Sequence, residues 1–320
     1  MKRRASAKLG NTFRAEHPSN FSENGTPVVY LTNPAVLIAG PIGHQRYRSI
    51  MSENKPISLG GLEIIMTYRG ATQERRENLR GVLRHLDLTY RDYVVYLIEA
   101  DATPTFHWSG FGDEKIRHIF IHDDGPFPKA KLCNLGARLC TGNIICFHDA
   151  DMIANPEYLS LSLGSLRDGT ASDALCPFLR VINITGDYRS DFIRSGDYAA
   201  LEKHLESELP DGMEVLYENT PGAIVLMKRS EYMRVGGYDP RFTGWGGEDD
   251  DLLTRATRLG VRWHSIPGSR AALFHLHHDA TSRQDAIAAA QRNRQAAAET
   301  HAMPLPELEA RAAELAQYFD

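Results

Sequence analysis

"LEIIMTYRGATQERRENLRGVLRHLDLTYRDYVVYLIEAD", residues 62–101, carries a strand, a helix and a second strand. Leu62, Ile64, Ile65 and Met66 make an apolar run that ends in the polar residues Thr67, Tyr68 and Arg69, the pattern of a strand covered on both faces. In "TQERRENLRGVLRHLDL" the apolar Leu79, Val82, Leu83 and Leu86 recur at helical spacing. "YVVYLIEAD" is apolar again and ends in acids, Glu99 and Asp101. The alternation continues through "KIRHIFIHDD" (115–124), a helix "PKAKLCNLGARLC" (128–140) with Pro128 near its start, and "NIICFHDAD" (143–151). Such alternation predicts an α/β fold with a Rossmann-like, mostly parallel central sheet flanked by helices. Ligands of such sheets sit beyond the C-terminal ends of the strands. Polar residues gather there: Tyr68 and Arg69, Glu99 and Asp101, Asp123 and Asp124, Asp149 and Asp151.

Beyond residue 155 the alternation loosens. "PEYLSLSLGSLRDG" reads as a helix, "ALCPFLRVINIT" as one extended run, and "AIVLMKRSEYMRVGGYD" as a strand and a short helix closed by Gly236 and Gly237. "RAALFHLHH" is extended. The expected organisation is an irregular arm over 1–58, a single α/β domain over 59–280, and a helical brace over 281–320 interrupted by Pro304 and Pro306.

The chain has 320 residues, 42% hydrophobic and 24% charged, enough to bury a sizeable core. A net charge of −5 and a pI near 6.2 argue against a general nucleic-acid partner. Cys133, Cys140, Cys146 and Cys176 show no CxxC spacing and read as reduced core residues, with a disulfide pair as the minority reading. "MKRRASAKLGNTF" has no apolar run behind it, so no signal peptide is expected. "PVVYLTNPAVLIAG" is too short for a membrane span and holds Asn33 and Pro34. The expectation is no membrane span and a cytoplasmic setting, with the Asn-X-Ser/Thr triplets at Asn20, Asn24 and Asn183 as chance matches.

Three stretches could carry chemistry. In "FHDADM", Asp149 and Asp151 are two residues apart. If the strand continued, both carboxylates would lie on one side and suit a hard cation such as Mg2+ or Mn2+; turn chemistry or a helix cap is the alternative. In "LFHLHHD", a strand would turn His275 and His277 one way and Leu276 and His278 the other. A carboxylate and two imidazoles suit Mn2+, and also iron or zinc; a pair of surface histidines is the alternative, and His278 could stand in for His277. In "GWGGEDDDLLTRATRLG" (244–260), the acids Glu248 to Asp251 open an amphipathic helix. The helix dipole favours acids there, each by about 0.3–1 kcal/mol, but one or two would serve. The flanking glycines free Trp245 to move, as in a lid that stacks on a sugar.

This last stretch resembles the C-terminal signature of the β-1,4-galactosyltransferase family. "FHDADM" resembles that family's Asp-Val-Asp motif, "PFPKAKLCNLGARL" the segment before it, and "IIMTYRGATQERRENL" its first strand and helix. "HLHHD" is similar to the His-X-His of the branch that galactosylates xylose on proteoglycan linkers. The resemblance spans roughly residues 61–285. Thr67-Tyr68-Arg69 stands where Pro-Phe-Arg is usual, and no Golgi stem or anchor is recognised.

The resemblance implies a GT-A type nucleotide-diphospho-sugar transferase fold and a metal-dependent, inverting hexosyltransferase. Galactose from a UDP-sugar would pass to a glycan hydroxyl acceptor. It places Asp151, His275 and His277 on Mn2+ or Mg2+, and Tyr68, Arg69, Glu99, Asp101, Lys129, Asp149 and Gly222 around the donor. Glu248, Trp245 and Asp250 would meet the acceptor, with Asp249 as the base; Asp250 and Asp251 are expected to be the more structural pair. Other readings are a retaining N-acetylgalactosaminyl-type transferase on the same fold, a metal-dependent phosphoesterase using Asp149, Asp151, His275 and His277, and a non-catalytic nucleotide-sugar sensor.

Overall fold

A computed structural model describes residues 55–107, 113–169, 171–279 and 283–319. Residues 57–101 form β1 (Ile57–Tyr68), α1 (Gln73–Thr89) and β2 (Tyr90–Asp101). Every residue from Leu62 to Tyr68 is buried, as a strand inside a parallel sheet requires. Leu79, Val82, Leu83 and Leu86 form the buried face of α1. Each such side chain contributes about 1.5–3 kcal/mol when fully buried. The Thr72 hydroxyl caps the helix by accepting from the backbone N–H of Arg75 at 3.3 Å. β1 and β2 run parallel with Tyr68 opposite Glu99, so their polar ends arrive together.

The chain continues through β3 (Ile116–His122), α2 (Lys129–Leu139), β4 (Ile144–His148), β5 (Met152–Ala154), α3 (Pro156–Asp168), β6 (Ala174–Cys176) and β7 (Arg180–Ile184). It then forms α4 (Gly186–Ser195), α5 (Ala199–Glu202), β8 (Met213–Glu218), β9 (Ile224–Lys228) and α6 (Arg229–Arg234). The last elements are α7 (Glu248–Arg258), β10 (Trp263–Ser265), β11 (Ala272–Leu276), α8 (Arg283–Ala302) and α9 (Leu305–Ala316).

The main sheet has seven strands in the order β10-β6-β9-β4-β1-β2-β3. Among the described residues β9 is its one strand running against the others. This is the α/β fold with a mostly parallel sheet that the alternation predicts. A second, four-stranded sheet in the order β5-β11-β7-β8 goes beyond that reading. "ALCPFLRVINIT" is not one extended run. Pro177 has no N–H to give to a ladder, and the run breaks there, leaving β6 in the main sheet and β7 in the second.

α8 and α9 pack on α6 and α7. Arg258 donates to the carbonyls of Thr300, His301 and Met303, and the Thr300 hydroxyl donates to Asp251 at 2.6 Å. Most of the arm expected over 1–58 lies outside the described residues, as does the expected boundary at 280–281. β1 already begins at Ile57. Cys133, Cys140, Cys146 and Cys176 are free and buried. Among the described residues no helix is long and apolar enough to cross a membrane.

Candidate active site

The site forms where β4 ends. Extended chain would have put Asp149 and Asp151 on one side. Instead the chain turns after His148: Asp149 N–H donates to the Ala223 carbonyl at 2.8 Å and Met152 N–H donates to the Asp149 carbonyl at 3.3 Å. The turn separates the two carboxylates. Asp149 meets Lys129 of α2, and Asp151 meets the histidines that follow β11.

Asp151 is placed by the second sheet. β5 pairs with β11 so that Met152 lies opposite His275, and Leu276 N–H donates to the Asp151 carbonyl at 2.8 Å. Asp151 Oδ2 is then 2.9 Å from His278 Nε2 and 4.0 Å from His275 Nε2. One ligand atom from each of the three residues lies within 4.8 Å of the others. The sequence reading named His277 for this cluster, and the structure corrects it to His278. β11 ends at Leu276, so side-chain alternation stops there and His278 comes round beside His275. His277 is exposed, with Nε2 3.6 Å from Asp279.

A carboxylate and two imidazoles sharing one focus fit Mn2+, iron or zinc. Burial lowers the His275 pKa and keeps a neutral nitrogen available. Burial opposes ionisation of Asp151, yet the hydrogen bond from His278 and the pull of His275 hold it below its ordinary range. Arg75 acts on the same cluster, on both Asp151 and His275, through its charge. Its buried Nε has no partner among the described residues.

A second cluster surrounds Lys129. Its Nζ is 3.2 Å from Asp149 Oδ1, 3.2 Å from Glu248 Oε1 and 3.2 Å from Asp249 Oδ2. Burial works against the ammonium, but the three carboxylates raise its pKa well above the usual value. Burial pushes Asp149 up to about 7, against the pull of Lys129 and with the help of the neighbouring acids. Glu248 is raised by burial too, and its Oε2 has no hydrogen-bond partner among the described residues. Asp249 Oδ1 accepts from the Tyr238 hydroxyl at 2.6 Å. Gly222, at φ +104°, lies so close that a Cβ there would be 2.3 Å from Asp249 Oδ2.

The acid run divides in the structure. Asp250 is raised to about 6 by burial and then by its acidic neighbours. Asp251 is fully buried and bonds Arg255 at 2.7 Å, a structural pair. Gly247 caps α7 at φ +87°, where a side chain would be strained. Trp245 is 56% exposed. Its loop is held from behind by α8, where Asn293 Nδ2 donates to the carbonyls of Gly246 at 2.6 Å, Thr243 at 3.3 Å and Trp245 at 3.4 Å.

On the β1–β2 side, two expected donor contacts are committed to protein partners. Arg69 donates to the carbonyls of Ala100, Gly125 and Asp123 and pairs with the Asp123 carboxylate at 3.1 Å. Glu99 is fully buried and accepts from Thr105 N–H, the Thr105 hydroxyl and Phe106 N–H, with His118 Nε2 at 2.7 Å. The side chains of Arg69 and Glu99 thus tie the ends of β1 and β2 to the segments that follow β2 and β3. Tyr68 is buried with its hydroxyl beside Gly70 and Thr105. Asp101 caps Ala102 through Oδ1 at 2.8 Å, while its Oδ2 is buried and unpartnered among the described residues.

Sequence reasoning missed Arg75, Tyr238 and Asn293. Arg75 had a usable signal, a cation in the first turn of the helix that follows β1. Tyr238 and Asn293 reach the site only through tertiary packing.

A family model described as the N-terminal domain of galactosyltransferase matches residues 203–279, which include Glu248, Asp249, His275 and His278. The chain is 28% identical over 149 residues to human polypeptide N-acetylgalactosaminyltransferase 10, an alignment covering 42% of this chain and 24% of that protein. It is 24% identical over 222 residues to validoxylamine A glucosyltransferase of Streptomyces hygroscopicus subsp. jinggangensis (strain 5008), covering 62% of this chain and 51% of the relative. Among solved structures, the catalytic domain of Drosophila β1,4-galactosyltransferase 7 with xylobiose aligns with a TM-score of 0.41 and 14% identity, over 74% of this chain and 79% of that one. The chain thus spans about a quarter of the human relative's length.

Proposed function

We propose that this chain is a metal-dependent glycosyltransferase of the GT-A type that moves a hexose from a UDP-sugar to a glycan hydroxyl. The observation that carries the reading is the meeting, around the β4–β5 turn, of the Asp151–His275–His278 cluster with the Lys129-bridged acids. The family match over 203–279 supports it, because that segment supplies the two histidines, Glu248 and Asp249.

Asp151, His275 and His278 would hold the cation, Mn2+ by preference, which when bound supplies charge neutralisation at a diphosphate leaving group. Arg75, whose charge acts on Asp151 and His275 and whose Nε has no hydrogen-bond partner among the described residues, would add a guanidinium suited to a phosphate oxygen. Lys129 and Tyr238 grip one side of each Asp249 oxygen and fix the carboxylate's direction, while lone pairs remain for an acceptor hydroxyl. Asp249 takes that hydroxyl's proton as it attacks the anomeric carbon, a role typically worth about 10²–10⁴ in rate. Glu248, whose buried Oε2 has no hydrogen-bond partner among the described residues, would turn that oxygen to a second acceptor hydroxyl. Trp245 covers the sugar and excludes water.

This is the inverting reading, with galactose favoured because the matched family segment is a galactosyltransferase's. The human relative named as an N-acetylgalactosaminyltransferase supports the retaining reading on the same scaffold. One experiment tests both. UDP-galactose, UDP-glucose and UDP-N-acetylgalactosamine are titrated calorimetrically with Mn2+ and with EDTA, and the anomer of the transferred or released sugar is read by NMR. Metal-dependent binding of one donor and an inverted product are expected. A product of unchanged anomeric configuration selects the retaining reading, and binding of no donor with metal present overturns the transferase assignment.

A further inference from the structure

Asn183 belongs to an Asn-X-Ser/Thr triplet, yet it is only 3% exposed and its side chain is fully occupied. It sits in one row across the second sheet. Met152 of β5 lies opposite His275 of β11, His275 opposite Asn183 of β7, and Asn183 opposite Glu214 of β8. Directly opposed residues share a face, so the row forms a relay of side chains. Asn183 Oδ1 is 2.8 Å from His275 Nδ1, and Asn183 Nδ2 donates to Glu214 Oε1 at 3.2 Å. Nδ2 also lies 3.3 Å from His277 Nδ1.

The chemistry leaves one orientation. An ionised Glu214 only accepts, so the Asn183 amide must turn its NH2 towards it. The amide oxygen then faces His275 Nδ1, which has to carry the ring proton. The lone pair of a neutral His275 is thereby fixed on Nε2, the atom that faces Asp151.

We propose that Asn183, held by Glu214, is a positioning residue that fixes the tautomer and ring direction of His275 as a metal ligand. The proposal rests on the metal-site reading above. It also gives His277 a place beside the relay and outside the cluster.

The test measures Mn2+ alone, by the paramagnetic resonance signal of the free ion, on the full chain. Asp151→Asn is the control for the site itself and loses binding. Asn183→Leu should weaken Mn2+ by about 10–100-fold, the usual cost of removing a partner behind a ligand. Glu214→Ala, which unhooks the amide away from the cluster, should weaken it less in the same direction. Asn183→Asp combined with Glu214→Gln reverses the polarity of the pair but keeps an acceptor on His275, and should bind within a few-fold of the parent. Nitrogen NMR should find the His275 proton on Nδ1 in the parent and in the double variant, and shared between the two nitrogens in Asn183→Leu. Melting curves in EDTA identify a variant that has lost its fold, and the double variant then carries the test. If Asp151→Asn abolishes binding while Asn183→Leu and Glu214→Ala bind like the parent, the relay is wrong and the metal site stands. If the parent binds no Mn2+, or Asp151→Asn binds as well as the parent, the metal site falls and the relay with it.

Discussion

The ammonium of Lys129 stands 3.2 Å from the carboxylate of Asp249, two residues separated by 120 positions in the chain. Two further acids, Asp149 and Glu248, share that one cation. Lys129→Met removes the cation that these three carboxylates share. Breaking a buried ion pair from one side costs about 3 kcal/mol at the low end of what is measured, and this site is partly open to water. Urea denaturation should show a loss of that order, and transfer should fall at least tenfold. Unchanged stability would mean that the acids find other partners.

Gly222 leaves no room for a side chain beside the proposed base. In Gly222→Ala a methyl group would arrive 2.3 Å from Asp249 Oδ2, on a backbone at φ +104° that L-residues rarely adopt. Asp249 must move, so kcat should drop more than tenfold. The proposed metal ligands Asp151, His275 and His278 are placed by the second sheet, so Mn2+ affinity should stay within a few-fold of the parent. Equal losses in both measurements would show that the two clusters are not separable.

Asn293 ties the Trp245 loop to α8 through a single amide. Asn293→Leu leaves the Gly246 carbonyl without its donor, a cost of about 1–3 kcal/mol if the group stays buried. The loop should then exchange its amide hydrogens faster over residues 243–247, and KM for the acceptor should rise more than KM for the donor. Unaltered exchange would place the anchor elsewhere.

His85, packed against the rings of Tyr90, Phe192 and Tyr198, makes stability depend on pH. Burial drives its imidazole from 6.5 down to about 4, and its Nε2 has no partner among the described residues. Between these values the unfolded chain binds a proton that the folded chain refuses. The contribution of His85 is therefore full above about pH 6.5 and is lost as pH drops towards 4, by an amount on the order of 3 kcal/mol. His85→Gln keeps an amide beside the Gly196 carbonyl and removes the titrating group. Denaturation midpoints at pH 7 and pH 4.5 should lie closer together in the variant than in the parent.

The sequence carried the main sheet wherever its signals were local and long. Leu62–Tyr68 and the α1 stripe of Leu79, Val82, Leu83 and Leu86 each show their period within a single element. The second sheet was hidden for the opposite reason. β5 has three residues, and β8 is a half-exposed strand without clean alternation, so both are defined by their partners. The exchange of His278 for His277 beside Asp151 has the same origin. Choosing between His277 and His278 requires knowing that β11 stops at Leu276, and that stop is set by pairing with β5 and β7. Asn183 reads from the sequence as a chance Asn-X-Ser/Thr match and no more, because nothing local distinguishes a buried amide from an exposed one. The acids at 248–251 were legible as a group, but only the structure separates Asp251, bonded to Arg255 and Thr300, from Asp249 beside Lys129.

The β4–β5 turn has a consequence for how the chain folds. His278 reaches Asp151 across 127 residues, and Asn183 reaches His277 across 94. Contacts of such span close late, after the local β–α units have formed, because the loop entropy must be met first. A nascent chain ending before residue 270 could build most of the large sheet and still lack both imidazoles. Cation uptake would then report the arrival of the last strand, and the ion would stabilise the completed fold alone, in proportion to its free concentration.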